Sequence, residues 1–197
     1  MNTTSKTIAV CAALTALTAV TGALPFVFLV PLLFACVTQN VKISAYMGLV
    51  FGVVSFLYSL LGGSVVAAAF VQAPWIAIVP RIAVGFIAHG TFVLCRRLIK
   101  EKGKVTRVLP YSIAAAVGSL ANTVLVVTLL LIFMRDTALG DMTVYLYLPT
   151  MLINGAIELV VCVSLVPTLA LSVGKALGRR GFVTYTEKEN KENDTNT

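Results

Sequence analysis

The chain has 197 residues, of which 58% are hydrophobic and 12% are charged, with a net charge of +7. A soluble domain carries about 25% charged residues, and several apolar runs here approach the roughly 20 residues that span a bilayer. The composition excludes an ordinary soluble protein and predicts an all-α, polytopic membrane protein. A β-barrel is disfavoured because the runs are continuously apolar rather than alternating.

Six apolar runs predict six transmembrane helices in one bundle, at residues 7–24, 26–37, 43–61, 78–98, 108–134 and 145–177. Pro80 falls in the first turn of the fourth run, where a proline is tolerated. The sixth run is long enough to overrun the bilayer or to break near Pro167. We therefore expect a six-helix membrane domain over residues 1–178, followed by a polar cytoplasmic tail over 179–197 that is too polar to fold alone.

The basic residues fix an orientation for these six spans. In a topology with both termini in the cytoplasm, thirteen lysines and arginines fall on the cytoplasmic side, as the positive-inside rule requires. They are Lys6, Lys42, Arg96, Arg97, Lys100, Lys102, Lys104, Arg107, Lys175, Arg179, Arg180, Lys188 and Lys191. Arg135 lies on the opposite side. The positive charge is thus explained by topology, and no motif indicates nucleic-acid binding.

The connection between the third and fourth runs, "GGSVVAAAFVQAPW" at residues 62–75, carries no charge and ends with Gln72 and Trp75. This topology places it outside. Two interpretations remain open. It is an apolar lid over a ligand site, in which Gln72 and Trp75 contact the ligand, or it is an interfacial segment with Trp75 in the aromatic belt.

Ionisable groups inside a membrane are costly and tend to mark functional sites. In the fourth run, Arg81, Gly85 and His89 are spaced by four residues and therefore share one helix face. Gly85 leaves room for a ligand or for a neighbouring backbone. His89 either contacts a ligand or serves helix packing.

Polar groups of two further runs are expected at a similar depth. Asn122 in the fifth run, Glu158 in the sixth and His89 in the fourth each lie about 17–20 Å from the predicted outer helix end. Asn154 shares the helix face of Glu158. Arg81 lies nearer the outside.

We therefore predict a cavity that opens outward and binds a small polar ligand. In it, Arg81 clamps a carboxylate or phosphate, and Asn122, Asn154 and Glu158 contact hydroxyl and amide groups. One alternative is a structural network in which Arg81 pairs with Glu158 and the asparagines bond across helices. Another is proton coupling through His89 and Glu158.

The first run carries a face of small residues, Ala9, Ala13 and Ala16. Such faces let helices approach closely, either within this bundle or against another membrane protein.

No sequence feature predicts an enzyme, a metal site or a cofactor. The four cysteines lie in separate apolar runs and are interpreted as small buried hydrophobes. The GxxxxGK[ST], HExxH and GxSxG motifs are absent, so we predict no ATP hydrolysis and no intramembrane catalysis.

Five segments, in this order, resemble the substrate-binding S components of energy-coupling factor (ECF) transporters: "AVCAALTAL", "GLVFGVVSFLYSLLGG", "PRIAVGFIAHG", "VGSLANTVLVVTLLLIF" and "NGAIELVVCVSLVP". The resemblance implies a six-helix vitamin-binding subunit in a bacterial cell membrane, surrounded by lipid. Its partners would be a transmembrane coupling protein and two ATPase subunits, which would explain the missing ATPase motif.

The resemblance also assigns roles to residues. Ala9 and Ala13 match the motif that docks on the coupling protein, and residues 62–75 match a gating loop. Arg81 and Asn122 resemble binding-site positions of the pantothenate-type members. The resemblance therefore favours pantothenate, a small carboxylate with hydroxyl groups and an amide. Folate, biotin, niacin and riboflavin remain alternatives, as does an autonomous proton-coupled transporter.

Overall fold

The computed structural model of the chain describes residues 3–24, 26–62, 65–99, 103–133 and 144–176, and every regular element within these ranges is an α-helix. The helices are α1 (Thr3–Thr21), α2 (Val30–Thr38), α3 (Val41–Leu60), α4 (Val65–Gln72), α5 (Pro74–Leu98), α6 (Lys104–Phe133) and α7 (Val144–Ala176). The predicted tail over 179–197 and Arg135 lie outside the described residues.

Four helices, α3, α5, α6 and α7, are long and apolar enough to cross a membrane. Their outward faces expose large apolar side chains, among them Leu146, Ile153 and Val160 of α7, which suits contact with lipid rather than water. These features indicate a helical membrane protein. Helix α2 has nine residues and is about 14 Å long, less than half the hydrocarbon thickness. The six-span topology with cytoplasmic termini stays a prediction.

Several helix ends differ from the predicted runs. Helix α5 begins at Pro74, four residues before the predicted start. The fixed φ of proline suits this first helical position. Pro80 therefore lies in the helix interior and not in the first turn. Helix α4 was not predicted as a separate element. Helix α7 continues through Pro167 without a break.

Helix α2 lies in the centre of the bundle. Eight of its nine residues are buried, and it is apolar on all sides, as expected of a helix surrounded by others. It follows a short turn and has Pro31 near its start. Helix α2 is therefore surrounded by five helices, α1, α3, α5, α6 and α7.

The core consists of two apolar clusters. The α2 cluster contains α2 with parts of α3, α5, α6 and α7, and the α4 cluster contains α4 with other parts of α5 and α6. Along α5 the chain meets the α4 cluster first, at Ala77, and the α2 cluster next, at Val84. Along α6 the order is reversed, from Ala115 to Val126. The two helices therefore run antiparallel.

Helices α3 and α5 approach closely through glycines. A Cβ atom added at Gly85 would lie 2.6 Å from the Ser44 carbonyl oxygen, and one at Gly48 would lie 2.5 Å from the Arg81 carbonyl oxygen. Such small residues allow helix backbones to come together. The sequence left open whether Gly85 makes room for a ligand or for a neighbouring backbone. In the structure it makes room for the backbone of α3.

Candidate functional site

A cavity of about 450 Å³ lies between helices α3, α4, α5, α6 and α7 and the α1–α2 connection. Four of the predicted ligand-binding residues line it together. They are Arg81, Asn122, Asn154 and Glu158.

The cavity lies where the α2 cluster and the α4 cluster meet. On α5, Arg81 stands between Ala77 of the α4 cluster and Val84 of the α2 cluster. On α6, Asn122 likewise stands between one cluster and the other, and Glu158 occupies the same level on α7. The polar side chains thus form one layer across three helices, with apolar packing on either side.

Arg81 is 6% exposed and has defined contacts. Its Nη1 donates a hydrogen bond to the Ile76 carbonyl oxygen at 3.1 Å. Its Cζ lies 4.8 Å from the ring centre of Phe70 on α4 and 5.8 Å from that of Phe51 on α3, within the range of cation–π attraction. Its Nε is buried without a hydrogen-bond partner. The guanidinium is therefore ordered and retains an unused donor.

Glu158 supplies the opposite charge in the same cavity. It attracts Arg81 electrostatically, and the Asn122 side chain lies close enough to interact with its carboxylate. Asn122 is 8% exposed, and its Oδ1 is buried without a partner. Buried polar atoms are nearly always hydrogen-bonded in native proteins. The unpaired Nε donor of Arg81 and the unpaired Oδ1 acceptor of Asn122 are therefore exceptions at this level of the bundle.

Aromatic and hydroxyl side chains complete the walls. The rings come from Phe28, Phe51, Tyr58 and Tyr147, and the hydroxyl groups from Ser55, Ser59, Thr123 and Thr150. Sequence reasoning missed all four of these hydroxyl residues. A signal existed for two of them, because Ser55 and Ser59 are spaced by four residues on an otherwise apolar helix.

Three predicted site residues do not line the cavity. The Nδ1 atom of His89 lies 2.9 Å from the Cys36 carbonyl oxygen on α2, so this histidine joins two packed helices. Gln72 is exposed at the end of α4. Trp75 is 40% exposed, and its ring meets that of Phe133 edge-on at 4.5 Å. Other parts of the 62–75 connection, Gly62 and the α4 residues Val66, Ala67 and Phe70, do line the cavity.

The alanines of α1 lie on its free face. Leu14 and Thr18 are buried toward the bundle, whereas Ala9, Ala13 and Ala16 are exposed. Because residues spaced by three or four positions share a helix side, this exposed strip of small residues points away from α2 and α3.

The charged, amide, hydroxyl and aromatic side chains that line the cavity can contact a polar ligand. Within the described ranges, no group of three or more His, Cys, Asp or Glu side chains could hold a metal ion. The cysteines are separate, and Cys36 and Cys162 are buried in the α2 cluster. No protein-family model matches the chain, and no curated protein matches it.

Proposed function

We propose that the chain is the vitamin-binding S subunit of an ECF-type importer, and that it binds a small anionic vitamin, with pantothenate as the best candidate. The observation that carries the proposal is that Arg81, Asn122 and Glu158 line one cavity, with Arg81 Nε and Asn122 Oδ1 left without hydrogen-bond partners.

The size and chemistry of the cavity suit such a ligand. Small-molecule sites typically measure about 300–1,000 Å³ and combine apolar walls with a few polar groups, and this cavity measures about 450 Å³. The Arg81 guanidinium suits a carboxylate. Asn122 Oδ1 and the Glu158 carboxylate are acceptors, so they suit the hydroxyl and amide donors at the other end of pantothenate.

The position of the cavity supports uptake from outside. It reaches Gly22 at the end of α1, Gly62 after α3 and Tyr147 near the start of α7. The positive-inside rule predicts that all three helix ends lie outside. A ligand would therefore enter from outside, beside α4.

The exposed alanine strip of α1 supports the second part of the proposal, which is docking on a transmembrane coupling protein. Small residues let a partner helix approach closely, and Ala9, Ala13 and Ala16 are free for such a contact. The proposed partners are this coupling protein and its two ATPase subunits.

The test is a titration of the detergent-purified chain with pantothenate, followed by calorimetry and by Trp75 fluorescence. We expect saturable one-to-one binding, weakened about 10- to 100-fold in Arg81→Gln, because a hydrogen bond to a charged group contributes about 1.5–3 kcal/mol. Panthenol, the uncharged alcohol analogue, should bind equally to both proteins. Lys42→Gln, which removes an exposed cation, is the control and should leave both affinities unchanged.

Two results would count against the proposal. One is the absence of heat, fluorescence change and thermal stabilisation with pantothenate, folate, biotin, niacin and riboflavin. The other is uptake into liposomes by the chain alone with a proton gradient, which would favour an autonomous transporter.

A further inference from the structure

Pro80 leaves a specific carbonyl group without its helical partner. In an α-helix each N–H bonds to the carbonyl oxygen four residues earlier, and proline has no N–H to give. Pro80 is the seventh residue of α5, so the carbonyl that it leaves unpaired is that of Ile76. Ile76 is fully buried, and a buried carbonyl without a donor is costly.

Arg81 supplies the missing donor. Its Nη1 bonds to this same Ile76 oxygen at 3.1 Å, five residues back along the helix. Arg81 thereby replaces the hydrogen bond that Pro80 removes. The contact also fixes the end of a long side chain, which otherwise loses rotamer entropy when a ligand binds.

This contact determines which edge of the guanidinium is left for a ligand. With Nη1 bonded to the helix, the Nε–Nη2 edge retains two parallel N–H groups, the arrangement that matches a carboxylate. Nε has no hydrogen-bond partner but is covered by protein atoms, so a carboxylate that binds this edge has to displace that cover. Arg81 itself lines the cavity.

We propose that Pro80 is a positioning residue for the anion site: it frees the Ile76 carbonyl, which holds Arg81 through Nη1 and keeps the Nε–Nη2 edge without protein hydrogen bonds, for the carboxylate of the ligand. The part that concerns the ligand rests on the proposed function. The part that concerns the Arg81 side chain does not.

The first test needs no ligand. Pro80→Ala, Arg81→Met and the double variant form a double-mutant cycle, with the melting temperature as the readout. A non-additive effect of the two substitutions shows that the two residues take part in one interaction. In the wild-type background, Arg81→Met leaves the Ile76 carbonyl oxygen without a hydrogen-bond donor. In the Pro80→Ala background, the new N–H satisfies it. We expect Arg81→Met to lower the melting temperature by about 4 °C more in the first background than in the second.

Pro110→Ala is the matched control. Pro110 is also buried and is also the seventh residue of its helix, α6, but it does not line the cavity. Its cycle with Arg81→Met should be additive. Pro80→Ser, which restores the same N–H, repeats the test if the alanine variant cannot be purified.

The second test separates positioning from general stability. Pro80→Ala should weaken pantothenate binding about tenfold, equivalent to the loss of one ordered charged contact, and leave panthenol binding unchanged. Pro110→Ala should change neither affinity.

The outcomes are distinguishable. Additive melting temperatures in the Pro80 cycle would overturn the proposal whatever the ligand is. An equal loss of pantothenate and panthenol affinity in Pro80→Ala would overturn the positioning role as well. Coupled melting temperatures in a wild-type chain that binds no pantothenate would support the anchoring of Arg81 and contradict the proposed function alone.

Discussion

Arg81 is anchored by groups that do not neutralise it. A backbone carbonyl and the Phe70 and Phe51 rings hold the guanidinium, while the carboxylate of Glu158 attracts it across the cavity. A cation held in this way keeps a donor for an incoming anion. Its rarity in an apolar helix was enough to predict a role for it, because charge inside a membrane has to have a partner or a function.

At the residue scale, Asn122→Asp tests the balance of charge in the cavity. The new carboxylate would lie beside Glu158, and two like charges in a poorly solvated site repel each other and an anionic ligand. We expect pantothenate affinity at neutral pH to fall at least about tenfold. Protonation of one of the two carboxyl groups in mildly acidic buffer should restore part of it. The readout is calorimetry at both pH values.

Asn122→Ser is the control for that experiment, since it removes the amide without adding charge. Asn122→Ser should lower pantothenate affinity less than Asn122→Asp does, and mildly acidic buffer should not restore the lost affinity. Equal losses for the two variants, or no dependence on pH, would contradict a charge effect at this position.

His89 shows the limit of residue-scale prediction. Its depth was counted from a predicted helix start at residue 78, which placed it level with Asn122 and Glu158. Because α5 begins at Pro74, Arg81 lies about 11 Å from the helix end and His89 about 22 Å. Depth alone does not separate these two residues, since Glu158 lies about 21 Å from the start of α7. Their neighbours do, because Arg81 lines the cavity and His89 contacts the Cys36 carbonyl oxygen of α2.

At the element scale, the α3–α5 contact depends on the absence of side chains at its glycines. Gly85→Ala should place a Cβ against the Ser44 carbonyl oxygen, and overpacking of this kind costs about 1–3 kcal/mol. We expect a melting temperature lower by about 2–4 °C for each kcal/mol. Pantothenate affinity should fall too, because α5 carries Arg81. Thermal unfolding in detergent measures the first effect.

Gly90→Ala is the matched control in the same helix. Gly90 is exposed and has no atom within 4 Å of an added Cβ, so alanine should be neutral or stabilise α5 by up to about 1 kcal/mol through its helix propensity. A similar loss of stability in both variants would mean that close packing does not limit the choice of residue at position 85.

Element boundaries were the least predictable part of the fold. The apolar character of α3, α5, α6 and α7 is continuous, so the existence of these helices followed from the sequence. The short helix α4 was harder to predict from the sequence, because its sequence "VVAAAFVQ" suits a loop lid, an interfacial segment or a helix equally well. Contact with α5 and α6 in the α4 cluster is what distinguishes these possibilities.

At the scale of the whole molecule, the exposed α1 face predicts a separation of binding from transport. Ala13→Leu should leave pantothenate affinity unchanged, since Ala13 is exposed and remote from the cavity lining. It should abolish ATP-driven uptake in proteoliposomes that contain the coupling protein and both ATPase subunits, because the bulkier side chain blocks close helix approach.

Ala156→Leu makes the same change at an exposed alanine of α7 and should support normal uptake. Undiminished uptake by Ala13→Leu would argue against α1 as the docking face. Loss of uptake in both variants would point to a general effect of bulk on the outer surface and contradict a specific role for α1.

The sequence alone determined the helical membrane class and a short set of candidate site residues, four of which line the cavity. It did so because long apolar runs have few stable forms in a bilayer, and because polar residues in such runs are rare. Tertiary structure decided which of those residues meet, since that depends on helix ends, on the central position of α2 and on the glycine contacts between α3 and α5. It also decided the hydrogen bond from Arg81 to Ile76. The spacing of four residues designates the Ile76 carbonyl, but that carbonyl lacks a helical partner only because α5 begins before it, at Pro74.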